Sequence, residues 1–335
     1  MNCTKPKIQL RFKVPEWVRS RLPIIHQMVK AHSPLVIPEP IQVIGLGTNS
    51  AVILALRHSD NSQWALKIVQ SGSHGYLKEE AILRHITSGE VKTPVDTMDS
   101  DHSDHSNQVR HLPSEFYSIP TVGLALPRLT ILSNQQMKSK IRNDHKLFLD
   151  ITSQVITALE QLHRTGLLHR DIKPENIAIG NNGQVCLIDF DLSGHMTTRT
   201  QSRRRKDLPK AQNISCGTPY YASLGLHFGG RLPNAFDDIE SAIFSLWEVV
   251  SPIGLPWESV VNQSNYYRQS DLIPMKAQAP GIPLILGQLL TYVRETSGKR
   301  GCQIDYQYMR DLVGHEHEHE QGQAPVKHNE NTISS

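Results

Sequence analysis

His169-Arg170-Asp171-Ile172-Lys173-Pro174-Glu175-Asn176 is the stretch on which this chain is best understood. It sets an acid, a cation and an amide at fixed offsets in a loop that contains a proline. Downstream, the apolar run 184–188 has the pattern of a strand and delivers a second acid, Asp189, followed by Phe190. A carboxylate beside a lysine can receive a proton, and an amide with a second carboxylate offers the hard oxygen ligands that magnesium prefers. Each of these residues is commonplace alone; together and in this order they form a chemical set.

Outward from that loop the patterning changes character. Residues 16–31 carry apolar positions at helical spacing, with Val18, Leu22, Ile25 and Met28 on one face. Runs at 41–44, 52–56 and 64–69 have the alternation of strands separated by turns, and a helix is expected over 75–86. Residues 94–114 are rich in Asp, His and Ser, as in a solvated insertion. A strand is expected at 121–126 and a long helix at 146–165, with Leu147, Ile151, Val155, Ile156, Leu159 and Leu162 on one face. Helices at 237–250, 283–295 and 305–313 follow, and the tail 314–335 has the composition of a disordered segment. A small sheet-rich lobe followed by a larger helical one implies a cleft between them, where ligands commonly bind.

Three further features point into that cleft. Gly45-Leu46-Gly47-Thr48-Asn49-Ser50-Ala51-Val52 lies between two expected strands. Glycines there let the backbone approach phosphates, although a tight hairpin also calls for them. A dinucleotide-binding turn would lead into a helix, and here a second strand follows. Lys67, in Ala65-Leu66-Lys67-Ile68-Val69, sits on an apolar strand, and the next helix supplies Glu79 or Glu80 as its partner. Glu79 is the better choice, because Ile82 and Leu83 then fall on the packed face and Glu80 points to solvent. Asp171 is then the base, Lys173 the cation beside a moving phosphoryl group, and Asn176 with Asp189 the magnesium ligands. His169 and Phe190 have the character of packing residues, and His163 that of a helix-surface residue.

On these positions the chain resembles the eukaryotic protein kinases, over residues 38–313. The resemblance implies an α+β, bilobal fold: an extension at 1–37, a β-rich lobe at 38–126 with one main helix, and a mostly helical lobe at 127–313. It implies ATP and magnesium as cofactors. Gly45, Gly47, Ser50, Val52, Ala65, Lys67 and Glu79 would serve the nucleotide, and Asp171, Lys173 and Thr218 the chemistry. Lys173 follows the serine/threonine form. Thr218, within Cys216-Gly217-Thr218-Pro219-Tyr220-Tyr221, would bridge Asp171 and Lys173. Tyr221-Ala222-Ser223, Leu226-His227-Phe228-Gly229, Asp237-Asp238-Ile239-Glu240-Ser241, Leu255-Pro256-Trp257 and the run 305–312 are similar to the casein kinase 1 group. The chain departs from the pattern in several places. Asp191 stands where a glycine is usual and Ser50 takes the third glycine position. Tyr220 replaces a substrate-reading arginine of that group. Leu126-Pro127-Arg128 replaces the acidic hinge, with Leu124 or Ala125 beside the pocket; a small residue there would open a back cavity. The intact acid, lysines and metal ligands favour turnover. The altered Asp191 and Ser50 leave a nucleotide-binding scaffold as the alternative, and a small-molecule kinase is the remaining one.

Composition narrows the rest. The 335 residues are 38% hydrophobic and 20% charged, in the range of soluble globular chains. A formal net charge of +3 gives no support for nucleic-acid binding. Four scattered cysteines suit a reducing compartment, cytoplasmic or nuclear. No apolar run is long enough to enter a bilayer as a spanning helix. The partners implied are proteins with Ser/Thr acceptors, and oligomeric state is left open. Arg203-Arg204-Arg205-Lys206, with Thr197, Thr198, Thr200, Ser202 and Ser215 nearby, would lie in the segment facing substrate, where a phosphate could pair with Arg170. The His/Glu alternation 315–320 lacks the rigid frame of a metal site.

Overall fold

The computed structural model describes residues 12–47, 49–70, 75–88, 111–196, 217–228, 231–263, 269–299 and 301–322. The basic run 203–206 and the neighbouring Ser/Thr positions lie outside them, as do most of the insertion and the end of the tail.

The chain enters through two helices, α1 (Glu16–Arg19) and α2 (Leu22–His32), where one was expected. The break falls at Ser20 and Arg21, and Pro23 sits in the first turn of α2, a position proline tolerates because the amide there lacks an intrahelical partner anyway. Val18, Ile25 and Val29 are buried against the sheet. Arg21 fastens the helix pair to it by donating to the Val69 carbonyl (2.8 Å) and the Thr121 carbonyl (2.7 Å).

The strands are β1 (Leu35–Val36), β2 (Val43–Leu46), β3 (Ser50–Arg57) and β4 (Gln63–Val69), then α3 (Gly75–Thr87), β5 (Tyr117–Ile119) and β6 (Gly123–Pro127). They form one antiparallel sheet in the order β1-β3-β4-β6-β5, with β2 also on β3. The strand expected from residue 121 begins at Gly123. Thr121 takes a left-handed turn conformation (φ 63°), and Gly123 (φ 153°) passes so close to β4 that a Cβ would sit 1.9 Å from the Lys67 carbonyl oxygen. Only glycine fits there.

The second lobe contains β7 (Thr130–Ile131), α4 (Gln135–Asn143), α5 (His145–Arg164), β8 (Leu167–Leu168), β9 (Ile177–Ile179), β10 (Val185–Leu187) and β11 (Gly194–His195). Then come α6 (Leu224–Phe228), α7 (Ala235–Val250), α8 (Glu258–Gln263), a 3-10 turn (Gln269–Leu272), α9 (Ile273–Gln278), α10 (Leu284–Ser297) and α11 (Tyr306–Gly322). Asn134 and Asp144 cap α4 and α5, accepting free amides of their first turns. The apolar stripe of α5 packs with α7, Trp247, Trp257, Phe190 and Leu83 of α3 in one core. The lobes therefore share packing through α3, and the cleft lies beside it.

Three expectations change. Residues 111–113, assigned to the polar insertion, are buried: His111 bonds the Val185 carbonyl (2.9 Å) and Leu112 enters the core. His163 is buried too: it follows Leu159 by four residues and Ile156 by seven, on the edge of the stripe, and α7 and α11 close over it. It lies 3.0 Å from Asp238 Oδ2 and also meets the Tyr306 hydroxyl. Helix α11 continues past Gly314 to Gly322, where composition alone suggested disorder.

Candidate active site

The loop 169–176 is held from beneath by one buried carboxylate. Asp238, near the start of α7, accepts the backbone N–H of His169 (2.8 Å) and of Arg170 (2.9 Å), as well as the His163 ring. Burial alone would push its carboxyl up; the bonds from His163, with help from His169 and the Arg170 amide, hold it below the usual carboxylate range. This tether lets Arg170 keep a left-handed backbone (φ 69°), while its side chain reaches the His195 carbonyl (3.1 Å). His169 and Phe190, both fully buried, pack ring against ring beneath the loop.

Above that floor the four expected groups meet. Asp171 Oδ1 accepts both the amide (2.8 Å) and the hydroxyl (2.9 Å) of Thr218. Its Oδ2 accepts Lys173 Nζ (2.6 Å) and Asn176 Nδ2 (3.2 Å). Lys173 also donates to the Thr218 hydroxyl (3.2 Å), so Thr218 bridges the acid and the lysine. Gly217 makes this possible: at φ 77° a Cβ there would come 2.3 Å from the Arg170 carbonyl oxygen. Asn176 spends its amide nitrogen on Asp171, including the backbone carbonyl (2.9 Å), which leaves its own carbonyl oxygen as the atom a cation would take.

Lys67 lies across the cleft. Its Nζ is 2.9 Å from Glu79, 2.7 Å from Asp189 and 2.8 Å from Asp191. The helical phase of α3 selected Glu79 as expected. Glu80 turns aside to Arg84 (2.6 Å) and is half-buried, not solvated. The other oxygen of Glu79 takes the Phe190 amide (3.2 Å). Burial pushes the Glu79 carboxyl up to about 8 against the pull of Lys67, with Asp191 and Asp189 adding to the rise. Asp189 is pushed up by burial but held lower overall by Lys67. Glu79, Asp189 and Asp191 bring ligand oxygens within 4.8 Å of one another. They are gathered around the Lys67 ammonium, and the hard oxygens that suit magnesium are those of the Asp189 carboxylate and the Asn176 side-chain carbonyl.

The glycine segment forms a hairpin, in which Gly45 pairs with Val52 and the Gly47 amide reaches the Ser50 carbonyl (2.9 Å). At Gly47 a Cβ would meet the Ser50 hydroxyl at 2.6 Å, the end of a side chain that can turn aside. At Gly45 it would only touch Val52 at 3.5 Å, so nothing in the hairpin demands glycine there. Thr48 lies outside the described residues. In register across the sheet, Val52 faces Lys67, Lys67 faces Leu124, and Ala65 faces Leu126. Cross-strand partners share a sheet face, so Val52, Lys67 and Leu124 line the cleft together, and Ala65 with Leu126 two positions along the same strands does as well.

The protein kinase domain family matches residues 39–224. The chain belongs to the protein kinase family. The kinase is 29% identical over 180 residues to "Casein kinase I homolog 1" of Saccharomyces cerevisiae (strain ATCC 204508 / S288c), an alignment covering 50% of this chain and 32% of that protein. The chain thus spans about a third of that relative's length. Its two lobes and intervening cleft are those of the bilobal kinase fold, and it resembles the casein kinase 1 group.

Within the kinase, the two choices for the residue beside the pocket separate. Leu124 packs with α3 and the cleft-side core, whereas Ala125 packs in the core on the other face of the sheet. Leucine, not alanine, therefore walls the back of the pocket. Pro127 ends β6 and has no backbone N–H to offer. Tyr220, in place of an arginine, lies against Tyr221 and Trp257, with its hydroxyl taking the Leu255 amide (3.3 Å). Burial raises its phenol above the ordinary range. Two positioning residues went unassigned in the sequence. Asp238 had a family-like sequence as its only signal. Lys276 is fully buried and donates to the carbonyls of Pro219 (2.8 Å) and Ala222 (2.6 Å) beneath the Thr218 segment.

Proposed function

We propose that this protein is an active serine/threonine kinase that transfers the γ-phosphoryl group of ATP to hydroxyls of protein substrates, with magnesium as cofactor. The observation that carries this is the Asp171 carboxylate, fixed on both oxygens by Thr218, Lys173 and Asn176. An acid held so firmly loses little entropy on orienting an acceptor hydroxyl. All four of its lone-pair sites are engaged, so the acceptor would take the place of the long Asn176 contact (3.2 Å) to hand over its proton. Lys173 stands where negative charge grows on the moving group, so its ammonium lowers the barrier electrostatically. Lys67, anchored by Glu79, is suited to the α- and β-phosphates. Val52, Ala65, Leu124 and Leu126 supply apolar walls for the base, and the unforced glycine at Gly45 leaves its backbone open to phosphate oxygens. Asn176 and Asp189 would hold magnesium, which when bound screens the phosphate charge.

Lys173 and the casein kinase 1 resemblance favour serine or threonine over tyrosine. With Tyr220 in place of the arginine, no strong preference for acidic or phosphorylated sequences is expected. A cytoplasmic or nuclear location is part of this reading, on the scatter of the cysteines along the sequence. Phosphate transfer from labelled ATP to casein and to a degenerate Ser/Thr/Tyr peptide library tests this function. Transfer to tyrosine peptides alone would contradict the acceptor assignment. The second reading, a nucleotide-binding scaffold, is favoured by one observation, the grip of Asp191 on Lys67. Thermal stabilisation by nucleotide with no transfer to any acceptor would support it.

A further inference from the structure

A lysine ammonium has three N–H donors, and Lys67 spends all three on carboxylates: Glu79, Asp189 and Asp191, at 2.9, 2.7 and 2.8 Å. A phosphate oxygen can reach this nitrogen only if one of the three contacts opens. They are not equally able to open. Glu79 is 1% exposed and also holds the Phe190 amide, so moving it would strand a buried donor. Asp189 is fixed from its backbone, in a left-handed conformation (φ 66°) with Phe190 packed below. Asp191 is held differently. Its Oδ2 bonds Lys67, while its Oδ1 is buried with no hydrogen-bond partner. It also crowds Glu79 and Asp189, so three acids share one cation. Asp191 is therefore the carboxylate that gives way.

We propose that Asp191 is a positioning residue that competes with the nucleotide phosphates for Lys67, so that nucleotide binds by exchanging one anion for another at this nitrogen. The inference rests on the assignment of Lys67 to the nucleotide. It gives the Asp191 substitution a defined consequence: weaker intrinsic nucleotide affinity, set by the charge of one side chain. The backbone at this position matters less than the carboxylate, so removing the charge without changing the shape has most of the effect.

The test is calorimetric binding of ADP to the full chain in EDTA, where no divalent metal contributes, for wild type, Asp191→Asn, Asp191→Gly and Asp191→Glu. Asp191→Asn and Asp191→Gly are expected to bind ADP about twofold to fivefold more tightly, and Asp191→Glu to return toward wild type. In turnover assays the same two variants should show a lower KM for ATP with kcat little changed. Thermal melting checks that each is folded, and Asp191→Asn carries the test if the glycine variant is not. Equal or weaker metal-free binding by Asp191→Asn, with wild type binding normally, overturns the inference alone. Weakening seen only when magnesium is added would make Asp191 a metal ligand instead and equally overturns it. Failure of wild type and every variant to bind any nucleotide overturns the nucleotide assignment of the site, and the inference with it.

Discussion

Thr218 gives both its amide and its hydroxyl to the same oxygen of Asp171, at 2.8 and 2.9 Å, leaving the other oxygen to Lys173 and Asn176. The carboxylate is thereby fixed in rotation as well as position. Replacing Thr218 by Ala removes the hydroxyl bridge to Lys173 and keeps the amide bond. Thr218→Ala is expected to lower kcat about tenfold to a hundredfold, with Thr218→Ser within about threefold of wild type. Steady-state kinetics on a peptide acceptor reads this directly; a wild-type kcat for Thr218→Ala would remove the bridge from the account.

Asp238 tests the floor of the site. It is 3% exposed and satisfies two backbone amides and a histidine ring. Asp238→Ala leaves those donors buried and unpaired, with an expected loss of about 3–5 kcal/mol in urea unfolding. Asp238→Asn keeps the shape but turns a donor toward donors, and should lose activity well before it loses the fold. A stability change below about 1 kcal/mol for Asp238→Ala would show that the tether matters little.

Gly123 tests the placement of Lys67. A methyl group there would sit 1.9 Å from the Lys67 carbonyl oxygen, a backbone atom that cannot swing aside. Gly123→Ala should destabilise the sheet lobe by more than about 2 kcal/mol and weaken nucleotide binding through Lys67. Hydrogen exchange of the β4 and β6 amides, compared with wild type, locates the damage; unchanged protection there would contradict it.

Lys276 predicts an unusual pH dependence. Burial lowers its ammonium to about 7, with Glu240 opposing and Arg294 adding to the fall, and His227, itself lowered to about 4 by burial and by Lys276, lies 2.9 Å away. Between about pH 7 and pH 10 the unfolded chain keeps a proton here that the folded one has released. Stability contributed by this residue therefore rises with pH across that window, by at most about 1.4 kcal/mol per unit. Comparing urea unfolding of wild type and Lys276→Met from pH 7 to about 9.5 cancels the other groups. The difference should move in favour of wild type as pH rises; a flat or opposite trend would contradict the lowered ammonium.

What could be read from sequence was what lies close along the chain or obeys a helical or strand period. The offsets within 169–176 placed Asp171, Lys173 and Asn176 together, and the phase of α3 chose Glu79 over Glu80. Most of what escaped was set by distant packing. His163 lies on the edge of the apolar stripe of α5, four residues after Leu159 and seven after Ile156, and its polar ring, not its phase, suggested a surface. Asp238 joins the loop across 69 residues of sequence, and Lys276 joins the Thr218 segment across more than fifty; neither has a local signal. The close approach at Gly123 had a local signal, a glycine within a strand pattern, whereas the left-handed turn at Thr121 had none. Composition misjudged residues 314–322, since Glu and His at a helix end continue a helix as readily as they solvate a coil.

In the proposed function, Asp171 and Lys67 make this kinase fold a working catalyst. The most direct measurement is transfer of labelled γ-phosphate from ATP, with magnesium, to casein by wild type, Asp171→Asn and Lys67→Met. Transfer by wild type is expected, with a fall of at least about a hundredfold in both variants and Asp171→Asn still binding nucleotide. Transfer undiminished by either substitution, or none by wild type under conditions where it binds ATP, would contradict it.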